Sequence, residues 1–289
     1  MLQRQKTRVQ KFVKLVRSSL RPNRYYYLTP NQALVRMVSG DLIYVDPQDE
    51  TVSANLIAHG HWEKNVTKVV RDLVCPGATV VEVGANLGYY TLLMARRVGD
   101  AGKIYSFEAN PQMANLTRKS VNLNGLANRV ELINKAASDQ VGSLAFMISR
   151  QYAGSGHLQV PQSYIATDQT TLTVETQPLD DLPIERADVI RLDAEGSEPL
   201  ILRGATRLLA YPDVVVCMEW SPIQMCCRAS VPELVEWLSG LGFRFWRVEA
   251  DGSLQELHHR LLPDVEHCEV VMARQAPRGT AAHPSATKG

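Results

Sequence analysis

Residues 81–90 read VEVGANLGYY, and this stretch indicates the fold of the chain. An apolar strand runs into a short turn that carries Gly84 and Gly88, and a helix follows. Glycine lets the backbone turn tightly and lets a ligand approach closely. The first turn of a helix adds free N–H groups and a partial positive charge. The stretch therefore predicts a ligand-binding turn between a strand and a helix.

The glycine spacing argues against a dinucleotide. The fingerprint G-x-G-x-x-G is absent, because Asn86 stands where its second glycine would be. A pyrophosphate would have less room here, which disfavours a dehydrogenase. A ligand that carries a carboxylate in place of a pyrophosphate fits better, and S-adenosylmethionine is such a ligand.

Strands and helices alternate on both sides of this turn. Such alternation implies a doubly wound, mostly parallel sheet. We therefore predict an α/β, Rossmann-like fold from about residue 79 to 274, preceded by a helical and β extension. An inserted hairpin is expected at 142–149 and 171–177. The predicted strands are 79–83, 103–107, 130–134, 188–192, 214–218, 243–248 and 269–273, and the predicted helices are 62–74, 89–98, 111–124, 198–209 and 232–239.

The net charge of +1 hides an asymmetry. Residues 1–40 hold nine Lys or Arg and no acid, so 22 bases face 30 acids in the remainder. Residues 1–21 show apolar side chains at helical spacing between the positive charges. This basic helix is expected either to pack on the acidic body or on a second subunit, or to lie on the inner membrane surface. We divide the chain into the basic helix and lead-in (1–58), the catalytic domain (59–274) and a disordered tail (275–289).

The cysteine spacing and the hydropathy of the sequence indicate in which cellular compartment the protein resides. Five Cys are present, and their spacing fits neither a disulfide framework nor a zinc pair. No apolar run approaches the ~18 residues of a membrane span, and charges interrupt every candidate signal peptide. We expect a cytoplasmic protein with reduced thiols.

Two further strand ends carry acids. Glu108 ends the second strand, twenty residues after Gly88, where an acid can accept hydrogen bonds from both ribose hydroxyls. Residues 189–198 read VIRLDAEGSE and place Asp193 and Glu195 at the end of a buried strand. Two like charges this close repel each other unless something pairs with them. The candidates are a cation, a role of one acid as a base, and Arg191. Glu219 ends the next strand and is expected at the same edge.

Together, four motifs resemble the FkbM-type methyltransferases over roughly residues 60–220: EVGANLG at 82–88, FEANP at 107–111, DAEGSE at 193–198 and LRGA at 202–205. The resemblance implies a class I methyltransferase that uses S-adenosyl-L-methionine. It places the methionine part at the first glycine turn, the ribose at Glu108, and the adenine near Ser138 and Asp139. Two departures are mild: Glu82 replaces the usual Asp, and Arg191 the usual Lys. The resulting set of cofactor residues is Glu82, Gly84, Ala85, Asn86, Gly88, Tyr90, Glu108, Ala109, Asn110, Ser138, Asp139 and Asp193.

Methyl transfer to an alcohol needs a base or a cation beside the hydroxyl. The candidate catalytic residues are Asp193, Glu195 and His61, and Asp193 and Glu219 are candidate ligands of Mg²⁺. The family favours O-methylation of a small-molecule natural product, a sugar or a lipid-linked acceptor. Two alternatives stay open. One is a membrane-attached protein that binds the cofactor without methyl transfer. The other is a nucleic-acid methyltransferase, which the acidic body disfavours because phosphates would be repelled.

Overall fold

The structure, a computed structural model, describes residues 24–149, 156–158 and 169–277. The predicted basic helix at 1–21 and most of the predicted tail, from 278 onward, lie outside these residues. Within them, no helix is long and apolar enough to cross a membrane.

The described strands fall into three sheets. In chain order they are β1 (Tyr25–Thr29), β2 (Gln32–Arg36), β3 (Leu42–Val45), β4 (Thr79–Val83), β5 (Lys103–Phe107), β6 (Val130–Ile133), β7 (Ala136–Ala137), β8 (Gly142–Ser149), β9 (His157–Leu158), β10 (Gln169–Gln177), β11 (Val189–Leu192), β12 (Val215–Trp220), β13 (Arg244–Val248), β14 (Leu254–Leu257) and β15 (Cys268–Ala273).

Helices connect these strands. The described α-helices are α1 (Val52–His59), α2 (Lys64–Leu73), α3 (Tyr89–Val98), α4 (Pro111–Leu123), α5 (Glu198–Arg203), α6 (Thr206–Leu209), α7 (Pro222–Met225) and α8 (Val231–Gly240), with short 3-10 helices at Leu179–Asp181 and His259–Asp264.

The central sheet has eight strands in the order β14-β13-β15-β12-β11-β4-β5-β6. The five strands from β12 to β6 are parallel, which confirms the predicted doubly wound core. The last three strands of the chain, β13, β14 and β15, join antiparallel to one another or to β12. After β4 the chain adds β5 and β6 on one side, and it later adds β11 and β12 on the other. This switch between β4 and β11 opens a crevice at the carboxyl ends of the strands, where ligands bind in such sheets.

The predicted helix at 198–209 is interrupted. It ends at Arg203 and resumes at Thr206, and Gly204 lies between the two parts. A side chain at Gly204 would bring its Cβ to 2.0 Å from the carbonyl oxygen of Ser138. Close packing of two backbone segments therefore accounts for the glycine, and the sequence pattern alone did not reveal it.

The lead-in forms a three-stranded antiparallel sheet, β1-β2-β3, that packs on α4. Ala33 and Val35 of β2 are fully buried in the same core as the helices of the central sheet. Their register partners on β1, Tyr27 and Tyr25, are 61% and 37% exposed. The core therefore ends at β2, and the edge strand β1 lies outside it.

The predicted hairpin is confirmed, because β8 and β10 pair antiparallel over their length. With β7 and β9 they form a four-stranded sheet beside the crevice. Phe146 and Leu158 of this sheet pack with Ala136, next to the carboxyl end of β6. The insertion thus provides an apolar wall at one side of the crevice.

Candidate active site

A cavity of about 310 Å³ lies at the carboxyl ends of β4, β5, β11 and β12. The glycine turn after β4 forms its floor, and the acids that end β5, β11 and β12 line it, as the sequence predicted. Phe146 and Leu158 cover it from the inserted sheet, and Trp62 and Glu63 cover it from the segment before α2. The cavity therefore draws on the central sheet, the insertion and the N-terminal part of the chain.

The two glycines of the turn serve different contacts. Gly84 has φ +83, and a Cβ there would lie 1.9 Å from the carbonyl oxygen of Asp193. Gly88 has φ +86 and caps α3, where a Cβ would lie 2.7 Å from Thr117. Gly84 thus lets the ends of β4 and β11 meet in the cavity. Gly88 does not line the cavity, and it allows α3 and α4 to pack.

Two backbone N–H groups hold the carboxylate of Glu108 just after β5. Its Oε2 accepts from the backbone N–H of Asn86 at 2.6 Å, and its Oε1 accepts from that of Asn110 at 2.7 Å. Burial raises the pKa of Glu108 to about 7, although both backbone hydrogen bonds lower it. Each carboxylate oxygen retains acceptor capacity toward the cavity. The carboxylate is thereby fixed at the strand end, and it fits a ligand with two adjacent hydroxyls.

Asn86 offers a second polar group to a ligand. Its backbone has φ +51, and the residue lines the cavity. The side-chain Oδ1 is buried and accepts no hydrogen bond from the described residues. A buried acceptor without a donor is costly, and an ammonium group of a ligand would satisfy it. This orphaned atom fits the methionine part of S-adenosylmethionine.

Glu82, predicted to bind the cofactor, is fully buried and does not line the cavity. Its Oε2 accepts from the hydroxyls of Thr91, at 2.6 Å, and Ser106. Glu82 therefore joins β4 to α3 and β5 beneath the glycine turn. In this structure it supports the turn instead of facing a ligand.

Three other predicted residues also lie away from the cavity lining. Ser138 is buried against Gly204, and Asp139 is exposed. Lys135, Ala136 and Ala137 occupy the corresponding wall. The ring of His61 stacks on that of His59 at 5.7 Å, and the next two residues along the chain reach the cavity in its place. At each of these positions, neighbouring residues along the chain line the cavity instead.

An acidic group occupies the other end of the cavity. Asp193, Glu195 and Glu219 each offer a carboxylate oxygen, and these atoms lie within 4.8 Å of one another. Burial and the charge of Asp193 raise the pKa of Glu195 to about 7 and that of Glu219 well above its usual range. Arg191 donates to Asp193 at 3.0 Å, and His267 lies 3.3 Å from Glu219. Three carboxylate oxygens this close together form a site suited to a cation.

Sequence reasoning missed Glu63, Trp62 and His267 at this end. Glu63 stands nineteen residues before Glu82, in a segment with no motif. His267 follows a 3-10 helix and reaches Glu219 only because β15 pairs with β12. Arg191 was predicted as a possible partner of the two acids, and its ion pair with Asp193 confirms this. No local signal identifies the three missed residues, since the sheet topology brings them to the site.

A family model described as the Methyltransferase FkbM domain matches residues 82–245. A protein-L-isoaspartate O-methyltransferase of Methanococcoides burtonii is 29% identical over 82 residues, 28% of this chain and 36% of that protein. A probable cobalt-precorrin-6B C(15)-methyltransferase (decarboxylating) of Sulfolobus acidocaldarius is 28% identical over 108 residues, 37% of this chain and 56% of that protein. The chain thus spans between about a third and just over half of the length of these curated relatives. The crystal structure of a methyltransferase FkbM from Methylobacillus flagellatus KT aligns with a TM-score of 0.41 and 16% identity, over 68% of this chain and 43% of that one.

Proposed function

Because the chain belongs to the FkbM methyltransferase family, we propose that it transfers a methyl group from S-adenosylmethionine to a hydroxyl of a small-molecule, sugar or lipid-linked acceptor. The observation that carries this proposal is the cavity itself. It joins a carboxylate held by two backbone N–H groups, Glu108, to an acidic end around Asp193. One end suits a nucleoside, and the other suits an acceptor that must lose a proton.

In this proposal the residues of the turn hold the cofactor. Glu108 accepts hydrogen bonds from the ribose hydroxyls. Asn86 and the start of α3 bind the amino-acid part. The adenine is enclosed by Ala136, Phe146 and Leu158. The bound cofactor would supply an electrophilic methyl group on a sulfonium. The protein would align the acceptor oxygen with that methyl group and exclude water.

A bound Mg²⁺ is a second part of the proposal. Asp193, Glu195 and Glu219 supply three oxygen ligands, the kind that this ion prefers. A cation there would favour the ionised form of an acceptor hydroxyl. It would also relieve the repulsion among the three acids.

Two measurements test the proposal. Calorimetry with S-adenosylmethionine and S-adenosylhomocysteine reports binding, and Glu108→Ala serves as the variant expected to bind more weakly. Transfer of labelled methyl groups to a panel of hydroxylated small molecules, sugars, glycolipids and transfer RNA then reports the acceptor class. Binding without transfer to any member would favour a cofactor-binding protein without methyltransferase activity. Labelling of the RNA alone would favour the nucleic-acid alternative.

A further inference from the structure

Glu63 occupies an unusual backbone position at the edge of the cavity. It precedes α2 with φ +29 and ψ +74, a region that non-glycine residues rarely adopt. Such conformations persist where surrounding contacts determine them, and they cluster at functional sites. The strained backbone of Glu63 therefore indicates a functional role for its side chain.

Two tyrosines at the start of α3 hold the segment in place. The phenol of Tyr90 donates to Oε2 of Glu63 at 2.8 Å. The hydroxyl of Thr67 donates to the carbonyl of Trp62 at 2.8 Å and lies 3.1 Å from that of Tyr89. Tyr90 is buried, whereas Glu63 is exposed within the open cavity. These contacts fix one oxygen of Glu63, and Oε1 has no hydrogen-bond partner among the described residues.

Asp193, the acid predicted from the sequence, is less free. Its Oδ2 accepts from Nη2 of Arg191 at 3.0 Å, and the guanidinium lies 3.8 Å from the ring centre of Tyr90. That oxygen is already engaged by a permanent cation, so it is not open to the hydroxyl of an acceptor. Glu63 lines the same cavity and is bonded to a neutral phenol instead.

We propose that Glu63 is the general base that receives the proton of the acceptor hydroxyl, and that Tyr90 is the residue that positions it. The proposal rests on the proposed function. The acceptor oxygen forms a bond to the methyl carbon, the methyl–sulfur bond breaks, and its electron pair stays on sulfur. The acceptor O–H bond breaks, and its proton goes to Oε1 of Glu63. The products are the methyl ether and S-adenosylhomocysteine.

The surroundings of Glu63 suit this role. The pKa of Glu63 is raised, mainly because burial removes water from around its carboxylate. The charge of Asp193 raises the pKa further. The hydrogen bond from Tyr90 and the charges of Arg191 and His267 oppose this rise. In the free protein solvent still reaches Glu63, so a ligand that fills the cavity completes its desolvation. A base whose pKa lies nearer to neutral pH is the more effective one.

The test compares Glu63→Gln, Glu63→Asp and Glu63→Ala with wild-type protein on the acceptor found in the panel. We expect Glu63→Gln to lower kcat by about 10²-fold or more, while calorimetry finds its affinity for S-adenosylhomocysteine unchanged. Glu63→Asp should retain part of the activity, and added formate should raise the turnover of Glu63→Ala. Glu185→Gln changes an exposed acid outside the cavity and serves as the matched control.

The pH profile separates a base from a structural residue. The rate should rise with pH as Glu63 ionises, and this limb should disappear in Glu63→Gln. Tyr90→Phe removes a hydrogen bond that lowers the pKa of Glu63, so the limb should move to higher pH. Wild-type protein that methylates no acceptor would overturn the proposed function, and the base with it. An active wild-type protein beside an equally active, folded Glu63→Gln, or no formate rescue and an unmoved limb, would overturn the base alone.

Discussion

Arg191 and Asp193 lie two residues apart at the end of β11 and form an ion pair of 3.0 Å, in which the arginine side chain is 1% exposed and the carboxylate 32%. Side chains two positions apart along an extended backbone share a face, and both residues line the cavity. Nε and Nη1 of Arg191 have no hydrogen-bond partner among the described residues. Asp193 and the ring of Tyr90 are therefore the main partners of the buried cation, and Glu269 and Glu82 add weaker compensation.

We expect Asp193→Asn to destabilise the fold as well as to impair the site. Loss of one partner leaves a buried charge uncompensated, which costs about 3–5 kcal/mol when both partners are buried, and about 1–3 kcal/mol is expected here because solvent reaches Asp193. Chemical denaturation measures this change in the free energy of unfolding. Arg191→Met removes the buried charge as well and should cost less than Asp193→Asn. The reverse order would contradict this account of the pair.

The affinity for S-adenosylhomocysteine should depend on Glu108 and on pH. Glu108→Ala removes the ribose acceptor at a cost of about 1–3 kcal/mol, or about 5- to 150-fold in Kd. Burial raises the pKa of Glu108 to about 7, and the ribose hydroxyls need its ionised form. Affinity should therefore fall as the pH drops below about 7, since the carboxyl must then lose a proton on binding. Calorimetry at several pH values measures both effects, and a pH dependence that survives in a folded Glu108→Ala protein would assign it to another group.

The glycine turn shows how far the sequence carries the argument. The motif around Gly84 and the acid at Glu108 predicted a nucleoside site, because strand, turn and helix are adjacent in the chain and their chemistry is local. The reason for Gly84 is not local, since the backbone of Asp193, 109 residues later, occupies the space of its side chain.

The acceptor end of the cavity is harder to predict from the sequence than the glycine turn, because its residues are far apart in the chain. Glu63, Arg191 and His267 come from three separate parts of the chain, and only the strand order brings them together. The sequence suggests His61 as a candidate base because an imidazole titrates near neutral pH, and it gives no signal for Glu63. The structure instead turns the chain at Glu63 so that the carboxylate reaches the cavity. Such turns leave no trace in periodicity or spacing.

Binding of Mg²⁺ should release protons. Burial and mutual repulsion raise the pKa of Glu195 to about 7 and that of Glu219 further, so these acids are partly protonated at neutral pH. A divalent ion binds their ionised form, and its affinity should therefore rise with pH. Calorimetry in buffers of different ionisation heat counts the protons released. Glu219→Gln should weaken binding and reduce the count, whereas Glu256→Gln, an exposed acid on β14, should change neither. Equal binding by Glu219→Gln would remove this residue from the site.

We propose that the basic N-terminal segment contacts an anionic membrane. Residues 1–24 carry eight Lys or Arg and no acid, and they lead directly into β1, whose residues are all exposed. The guanidinium of Arg24 donates to the carbonyl of His59 at 3.1 Å, close in the chain to Trp62 and the cavity. A lipid surface bound here would thus lie near the entrance for a lipid-linked acceptor. Each basic residue near such a surface adds about 1 kcal/mol, and tyrosine favours the membrane interface.

Flotation with vesicles of phosphatidylglycerol should recover the full-length protein at low salt, and high salt should weaken the binding. A truncated protein that begins at Asn23 should remain unbound. Tyr25→Ser with Tyr27→Ser should bind less tightly than wild-type protein. Val141→Ser changes an exposed apolar side chain just before β8 and serves as the control. Light scattering on the same samples reports whether the segment instead joins two subunits. In that case the full-length protein would be a dimer and the truncated protein a monomer. Full-length protein that stays off these vesicles at low salt would exclude the membrane contact, because its electrostatic attraction to the lipid is then at its strongest.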